Sequence, residues 1–409
     1  MIHSIQKIGV LREGKIPHDY RVPLTPKQCA IVKSRYNVEV VVQPSPIRRF
    51  QDHEYTEAGI SLQEDLSDCD LLIGVKEVPI DLLIPNKTYL FFSHTIKKQP
   101  HNAKLLRAIL DKKIRLIDYE ILKGTDGKRL IGFGRYAGIV GAYEGFRAFG
   151  LKNNLYVLKS PSECADRLEM EAEMKKIQLP HHMKIVVTGF GRVGNGAAEI
   201  MRMLPIEKVE EEDYFSQEFD HPVYVHLDTH DYYVRKEFGG FDKKDFYSNP
   251  EKYISTLADN VRKAHLYIAC HLWAGGNPLL ITQHDVEHPA WKCTTIADVS
   301  CDTGGPIAPT IRSSSIDDPF FGYNRFTHQE TDWRDNDAIC VMAIDNLPCE
   351  LPKDASEDFG NELIHGVLPL MLIEDPHHIV WKATETTLEG ELTPHCEYLS
   401  DYANGRLDH

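Results

Sequence analysis

The chain has 409 residues, and 46 Lys+Arg against 61 Asp+Glu leave a formal net charge of −15. With 42% hydrophobic and 26% charged residues it has the composition of a folded globular chain of two or three domains, which excludes a fibre or a disordered polymer. No run approaches the roughly 18 apolar residues of a membrane helix, the start MIHSIQKIGVLREG lacks the apolar stretch of a signal peptide, and the excess negative charge repels polyphosphate. These features predict a cytoplasmic protein with neither membrane nor nucleic acid as partner, although a local basic pocket for a small anion stays compatible with them. The nine cysteines (29, 69, 164, 270, 293, 301, 340, 349 and 396) are odd in number and contain no CxxC pair, so they are expected to be reduced, buried thiols.

Apolar β-rich runs alternate with helical patterns, without repeats or low-complexity tracts, which predicts parallel α/β architecture. The first unit opens with the strand KIGVLRE (7–13), followed by a helix starting at Thr25-Pro26, where Thr caps the free amides and Pro suits the first turn. VEVVVQ (38–43), DLLIGVK (70–76), YLFFSH (89–94) and IRLIDY (114–119) supply further strands, with helical stretches near 54–67 and over 103–113. A helical pattern over 139–150 and an amphipathic stretch over 165–176 lead to a second unit. Its strands are predicted at KIVVTG (184–189), VYVHL (223–227), AHLYIAC (264–270), CTTIADVS (293–300) and AICVMAI (338–344). Residues 213–262 are polar and aromatic and read as an insertion. A last helix near 355–373 is expected to pack back on the first unit, because a tail of about sixty residues cannot bury a core alone.

Gly189, Gly191 and Gly194 stand in G-x-G-x-x-G spacing directly after a predicted strand and at the start of a helical pattern. That context is what a dinucleotide fingerprint requires: the first glycine permits the turn, the second lets backbone approach the pyrophosphate, and the third lets helix and strand pack closely. Arg192 and Val193 sit between the last two glycines, where free helix N–H groups are offered to the phosphates. About twenty residues on comes the acidic run VEEED (209–213), and Glu210 or Glu211 is expected to bind the adenine ribose hydroxyls. A carboxylate there repels the 2′-phosphate of NADP, so NAD is the expected cofactor.

Lys76 closes one predicted strand and His94 another eighteen residues later. Ligands of open α/β sheets bind beyond the carboxyl ends of strands, so both point at the expected crevice. A lysine there loses solvation of its ammonium and can become a base, while histidine already titrates near neutrality. The sequence HDVEH (284–288) has the H-x-x-E-H spacing of an inverted zincin, but Pro289 stops the helix such a site needs, so no metal is expected.

Beyond these residues, GVLREGKIPHDYRVPLTP (9–26), IGVKEVP (73–79), FFSHTIK (91–97), RLIDYEIL (115–122), RLIGFGRYAG (129–138), PEKYIS (250–255), ADVSCDTGGPI (297–307) and IDNLPCELPKDAS (344–356) occur in order along nearly the whole chain. In these blocks the chain resembles the L-lysine-forming saccharopine dehydrogenases, above all their lysine–2-oxoglutarate reductase branch, within the superfamily of alanine dehydrogenase and transhydrogenase. The resemblance implies two Rossmann-like doubly wound domains flanking a cleft: a catalytic domain of residues 1–138 with 346–409, and a dinucleotide-binding domain of residues 139–345. It implies a pyridine-nucleotide oxidoreductase that interconverts saccharopine with L-lysine and 2-oxoglutarate, as monomer or homo-oligomer. By motif, Lys76 and His94 match the proton-transfer pair, Glu77 and Glu120 the acids that tune it, and Arg21, Lys97 and Arg129 positions that grip substrate carboxylates. Asp298 or Asp302 would bind the substrate's amino end. The reductase branch often uses NADPH, which stands against the NAD expected from the acidic run. Two other readings fit parts of the pattern: amino-acid dehydrogenation of the alanine dehydrogenase type, and a catalytically silent nucleotide-binding regulator.

Overall fold

The computed structural model describes residues 5–406. The chain divides into two compact units, Met1–Phe133 with Pro352–His409, and Gly134–Leu351. No helix among the described residues is long and apolar enough to cross a membrane.

The first unit is built on six strands, β1 (Lys7–Val10), β2 (Glu39–Val42), β3 (Ser61–Leu62), β4 (Leu71–Ile73), β5 (Thr88–Phe91) and β6 (Arg115–Asp118). All are parallel and ordered β3-β2-β1-β4-β5-β6, the strand order of a doubly wound sheet. Alternate side chains serve opposite faces, as the two-residue period of a strand demands. Ile8, Val10, Val40, Val42, Leu71, Ile73 and Leu90 pack with Cys29 and Val32 of the helix Pro26–Tyr36 and with Phe359, Leu363 and Val367 of the C-terminal segment. Val41, Leu72, Tyr89, Phe91 and Leu116 pack on Leu105 and Ile109 of the helix Ala103–Asp111. Thr25 caps the first helix in a capping box with Gln28, as expected from Thr25-Pro26. The helix anticipated near 54–67 is shorter, Asp52–Glu57, because Gly59 turns left-handed (φ 74°) and the chain then enters β3.

In the second unit the strands are β7 (Lys184–Thr188), β8 (Glu207–Lys208), β9 (Val223–Leu227), β10 (Tyr233–Arg235), β11 (Tyr253–Ser255), β12 (Leu266–Ala269), β13 (Thr295–Asp298), β14 (Phe320–Asn324), β15 (Glu330–Thr331) and β16 (Ala338–Met342). The main sheet runs β15-β14-β16-β13-β12-β7-β9-β8, with β14 and β15 antiparallel additions at one edge. The segment 213–262 is therefore more than an insertion: it contributes β9, the direct parallel neighbour of β7, before the small antiparallel pair β10–β11. The helix Gly134–Lys152 crosses the helix Arg192–Met203 at glycines. A Cβ on Gly138 would lie 1.8 Å from the Val193 carbonyl oxygen, and one on Gly196 2.0 Å from that of Arg135.

Candidate active site

Four adjacent strands of the first unit, β1, β4, β5 and β6, each deliver an ionisable side chain just past their carboxyl ends: Glu13, Lys76 with Glu77, His94, and Glu120. The parallel register aligns Val10, Ile73 and Leu90, so these side chains form a row along one sheet edge.

The row is internally bonded. The carboxylate of Glu13, 9% exposed, accepts the backbone amides of Val75 (2.7 Å) and Lys76 (2.9 Å), which fixes the turn that presents Lys76. Burial, and then the neighbouring Asp19, push Glu13 up to about 8. The Lys76 ammonium is lowered from the ordinary lysine value, first by burial and next by the Arg21 guanidinium. His94 Nδ1 lies 2.7 Å from Glu77 Oε1, and Lys15 Nζ lies 2.8 Å from the other Glu77 oxygen. Burial raises Glu77, but these hydrogen bonds outweigh it and hold the group at about 2, so it is an anion that can only accept. Nδ1 of His94 therefore donates to Glu77, which leaves Nε2 to exchange protons. Nε2 faces Glu120 Oε2 at 3.9 Å. Glu120 in turn accepts from Arg129 (2.5 Å) and stands 3.7 Å from Lys97 Nζ.

The cations expected to hold carboxylates differ in their accessibility. Lys97 and Arg129 keep 48% and 40% of their side chains exposed. Arg21 is 2% exposed, forks onto Asp19 (2.5 and 2.9 Å) and lies 4.1 Å over the Phe133 ring, so its charge is already balanced inside the fold. Glu13, Lys15 and Asp19 lie within the block GVLREGKIPHDYRVP, yet only the strand order brings them against Lys76 and Glu77.

In the second unit the glycine turn follows β7 and opens the helix Arg192–Met203, with Gly191 as its N-cap and Arg192 and Val193 in the first turn. A Cβ on Gly189 (φ 92°) would meet the Cys270 carbonyl oxygen at 2.3 Å, and one on Gly194 would meet the Gly189 carbonyl oxygen at 1.7 Å. Gly191 has open space around it, as a backbone approached by a phosphate requires. His271, just past β12, has a buried Nε2 with no hydrogen-bond partner among the described residues, and its Nδ1 lies 3.4 Å from the hydroxyl of Thr188, the residue before the turn.

Glu210 and Glu211 are not at this turn. They open the helix Glu211–Ser216, where Glu211 accepts from Asn260. The chain makes the edge strand β8 and that helix before it reaches β9, so a count of about twenty residues stops one strand early. The strand beside β7 is β9. Its Leu227 carbonyl bonds the Gly189 amide (2.8 Å), His226 Nε2 donates to the Gly189 carbonyl (2.6 Å), and the next residue is Asp228. Asp228 caps the short helix Thr229–Tyr232 with its side chain 43% exposed. The acid that follows the strand VYVHL was the available signal. Of the two further aspartates, Asp298 is 1% exposed and bonds the Ser300 and Cys301 amides and the Thr310 hydroxyl; burial raises it to about 6 despite those bonds. Asp302 is half-buried in the following turn. His284 points to solvent and Glu287 pairs with His328 (2.8 Å).

Residues 9–140 match the family model described as alanine dehydrogenase/PNT, N-terminal domain, and residues 162–393 match its C-terminal domain. The chain belongs to the alanine dehydrogenase/PNT family. It is 31% identical to the alpha-aminoadipic semialdehyde synthase of Arabidopsis thaliana over 96% of its own length but only 41% of that protein's, so it spans less than half of this relative. It is 26% identical to the saccharopine dehydrogenase [NAD(+), L-lysine-forming] of Yarrowia lipolytica, over 88% of this chain and 91% of that one. A solved L-alanine dehydrogenase superposes with a TM-score of 0.62 at 17% identity, covering 97% of this chain and 99% of the other, which is a likeness of fold.

Proposed function

We propose that this member of the alanine dehydrogenase/PNT family interconverts saccharopine, water and NAD(P)+ with L-lysine, 2-oxoglutarate and NAD(P)H. The observation that carries the reading is the row Glu13, Lys76, Glu77, His94 and Glu120 on one sheet edge, because it pairs a lysine made less basic by burial with a histidine whose tautomer is fixed. The names of the relatives support the substrate class. The first unit is assigned catalysis, and the second the nucleotide.

The glycine turn, the open space at Gly191 and the orphaned His271 Nε2 fit a dinucleotide, and Asp228 is the acid suited to its ribose hydroxyls. When bound, that group supplies a hydride acceptor or donor. In the oxidative direction Lys76 Nζ takes the proton from the secondary amine of saccharopine as the C–H bond breaks. His94 Nε2 then takes a proton from the water that adds to the imine carbon, and proton return to nitrogen lets the carbinolamine collapse to ketone and amine. Lys97 and Arg129 offer a point charge and a fork to carboxylates, and Glu120 holds both until substrate arrives. Asp298 or Asp302, at and just past the end of β13, is assigned to the substrate's amino end.

The test is the rate of absorbance loss at the nicotinamide band with 2-oxoglutarate, comparing lysine with ammonia and NADH with NADPH. Turnover that depends on lysine is the expected result. Turnover with ammonia instead would replace it with amino-acid dehydrogenation of the alanine dehydrogenase type, and tight nucleotide binding without turnover would make the chain a nucleotide-binding regulator.

A further inference from the structure

His94 adopts a left-handed conformation, φ 54° and ψ 14°, which is unfavourable for a non-glycine residue and persists only where its surroundings impose it. What imposes it lies behind the turn. Ser93 and Thr95, the residues on either side, are fully buried and tied to two equally buried carboxyl groups, Asp118 at the end of β6 and Glu385 of the C-terminal segment. Ser93 Oγ is 2.5 Å from Asp118 Oδ2, Thr95 Oγ1 is 2.5 Å from Glu385 Oε2, and the two hydroxyl oxygens are 2.6 Å apart. Asp118 also accepts the amides of Ser93 (3.3 Å) and Glu120 (2.6 Å), so one carboxyl group sets two members of the catalytic row. The segment bearing Glu385 is pinned to β6 by backbone: its amide bonds the Leu116 carbonyl, and Thr384 bridges Ile117.

Counting hydrogens decides the charge of this cluster. Three short oxygen–oxygen contacts need three hydrogens, and the two hydroxyls carry two. Were both carboxyls ionised, both hydroxyls would donate to them and nothing would lie between Ser93 and Thr95 at 2.6 Å. The third hydrogen must come from a carboxyl. Burial raises Asp118, and burial with the Asp118 charge raises Glu385, in the same direction.

We propose that Asp118 and Glu385 share a proton and act together as positioning residues that hold the Ser93–Thr95 turn, and with it the imidazole of His94, in place. The proposal rests on His94 being a proton carrier in the reading above.

The test uses the full chain with Glu385→Ala, Glu385→Gln and Thr95→Ala. Nitrogen-15 imidazole spectra, with His94 assigned by His94→Asn, report the turn without any substrate. Steady-state rates report its use. Glu385→Ala is expected to shift the His94 nitrogen signals and to lower kcat about tenfold or more with KM within threefold, since small misplacement of a reacting group costs rate rather than binding. Glu385→Gln, which supplies an amide hydrogen where the shared proton sits, is expected to restore both. Folded Glu385→Ala protein with unchanged His94 signals and kcat overturns the proposal, and a glutamine variant as impaired as the alanine one overturns the shared proton. If Glu385→Ala does not fold, Thr95→Ala, which removes one link, decides by the same two readouts. If the wild type turns over none of the substrates, the functional reading fails, and the His94 spectra still decide whether the pair holds the turn.

Discussion

In the proposed reaction Lys76 has to be a base at a pH where most lysines are charged, and its surroundings supply two effects that favour this: burial first, and the Arg21 guanidinium second. A base must be neutral, and a depressed lysine becomes neutral at a lower pH than its ordinary 10.5. The rate of saccharopine oxidation should therefore rise with pH and level off below that value. A rising limb at or above it would show an unperturbed lysine. Asp228 carries a second prediction at this scale. Shortening it to the neutral Asp228→Ser should raise the NAD+ dissociation constant about tenfold, near 1.4 kcal/mol, while NADP+ binding weakens less or improves. Unchanged discrimination between the two nucleotides would remove Asp228 from the ribose site.

The C-terminal segment is what closes one face of the first sheet. Phe359 is fully buried, stacks on Phe133 at 4.3 Å and meets Tyr119 edge-on at 5.1 Å, and Phe133 supports Arg21. Phe359→Ala should cost about 3–5 kcal/mol of stability, measured by denaturant unfolding. A loss below about 1 kcal/mol would mean that the segment is dispensable to that face.

Elements with a strong internal signal were legible in the sequence. β7 and β9 are fully buried five-residue runs, and Thr25-Pro26 announces a helix start; each falls where the pattern predicts. β14, FFGYN, is buried over its first four residues but carries a glycine and follows the polar run SSSIDDP, so no alternation marks it. Lys76 and His94 could be read as strand-end residues because their own strands identify them. Glu13 could not be given a role, since its partners are set by which strands lie side by side, and Asp228 follows a predicted strand whose place beside β7 the chain order does not show. Chain order alone pairs Glu210 with the glycine turn, whereas sheet order pairs Asp228 with it.

For the molecule as a whole, a charge of −15 coexists with a sheet edge where Lys15, Lys76, Lys97 and Arg129 gather around Glu77 and Glu120. Such an edge suits the three carboxylates of the proposed substrate. Whether Lys76 and His94 move the protons of a saccharopine-forming reaction is read from initial rates of the wild type, Lys76→Met and His94→Gln with lysine, 2-oxoglutarate and reduced nucleotide. Lysine-dependent oxidation of the nucleotide by the wild type is expected, with a fall of about 10² or more in each variant and nucleotide binding retained. Variants as fast as the wild type, or a wild type that turns over ammonia but not lysine, would contradict it.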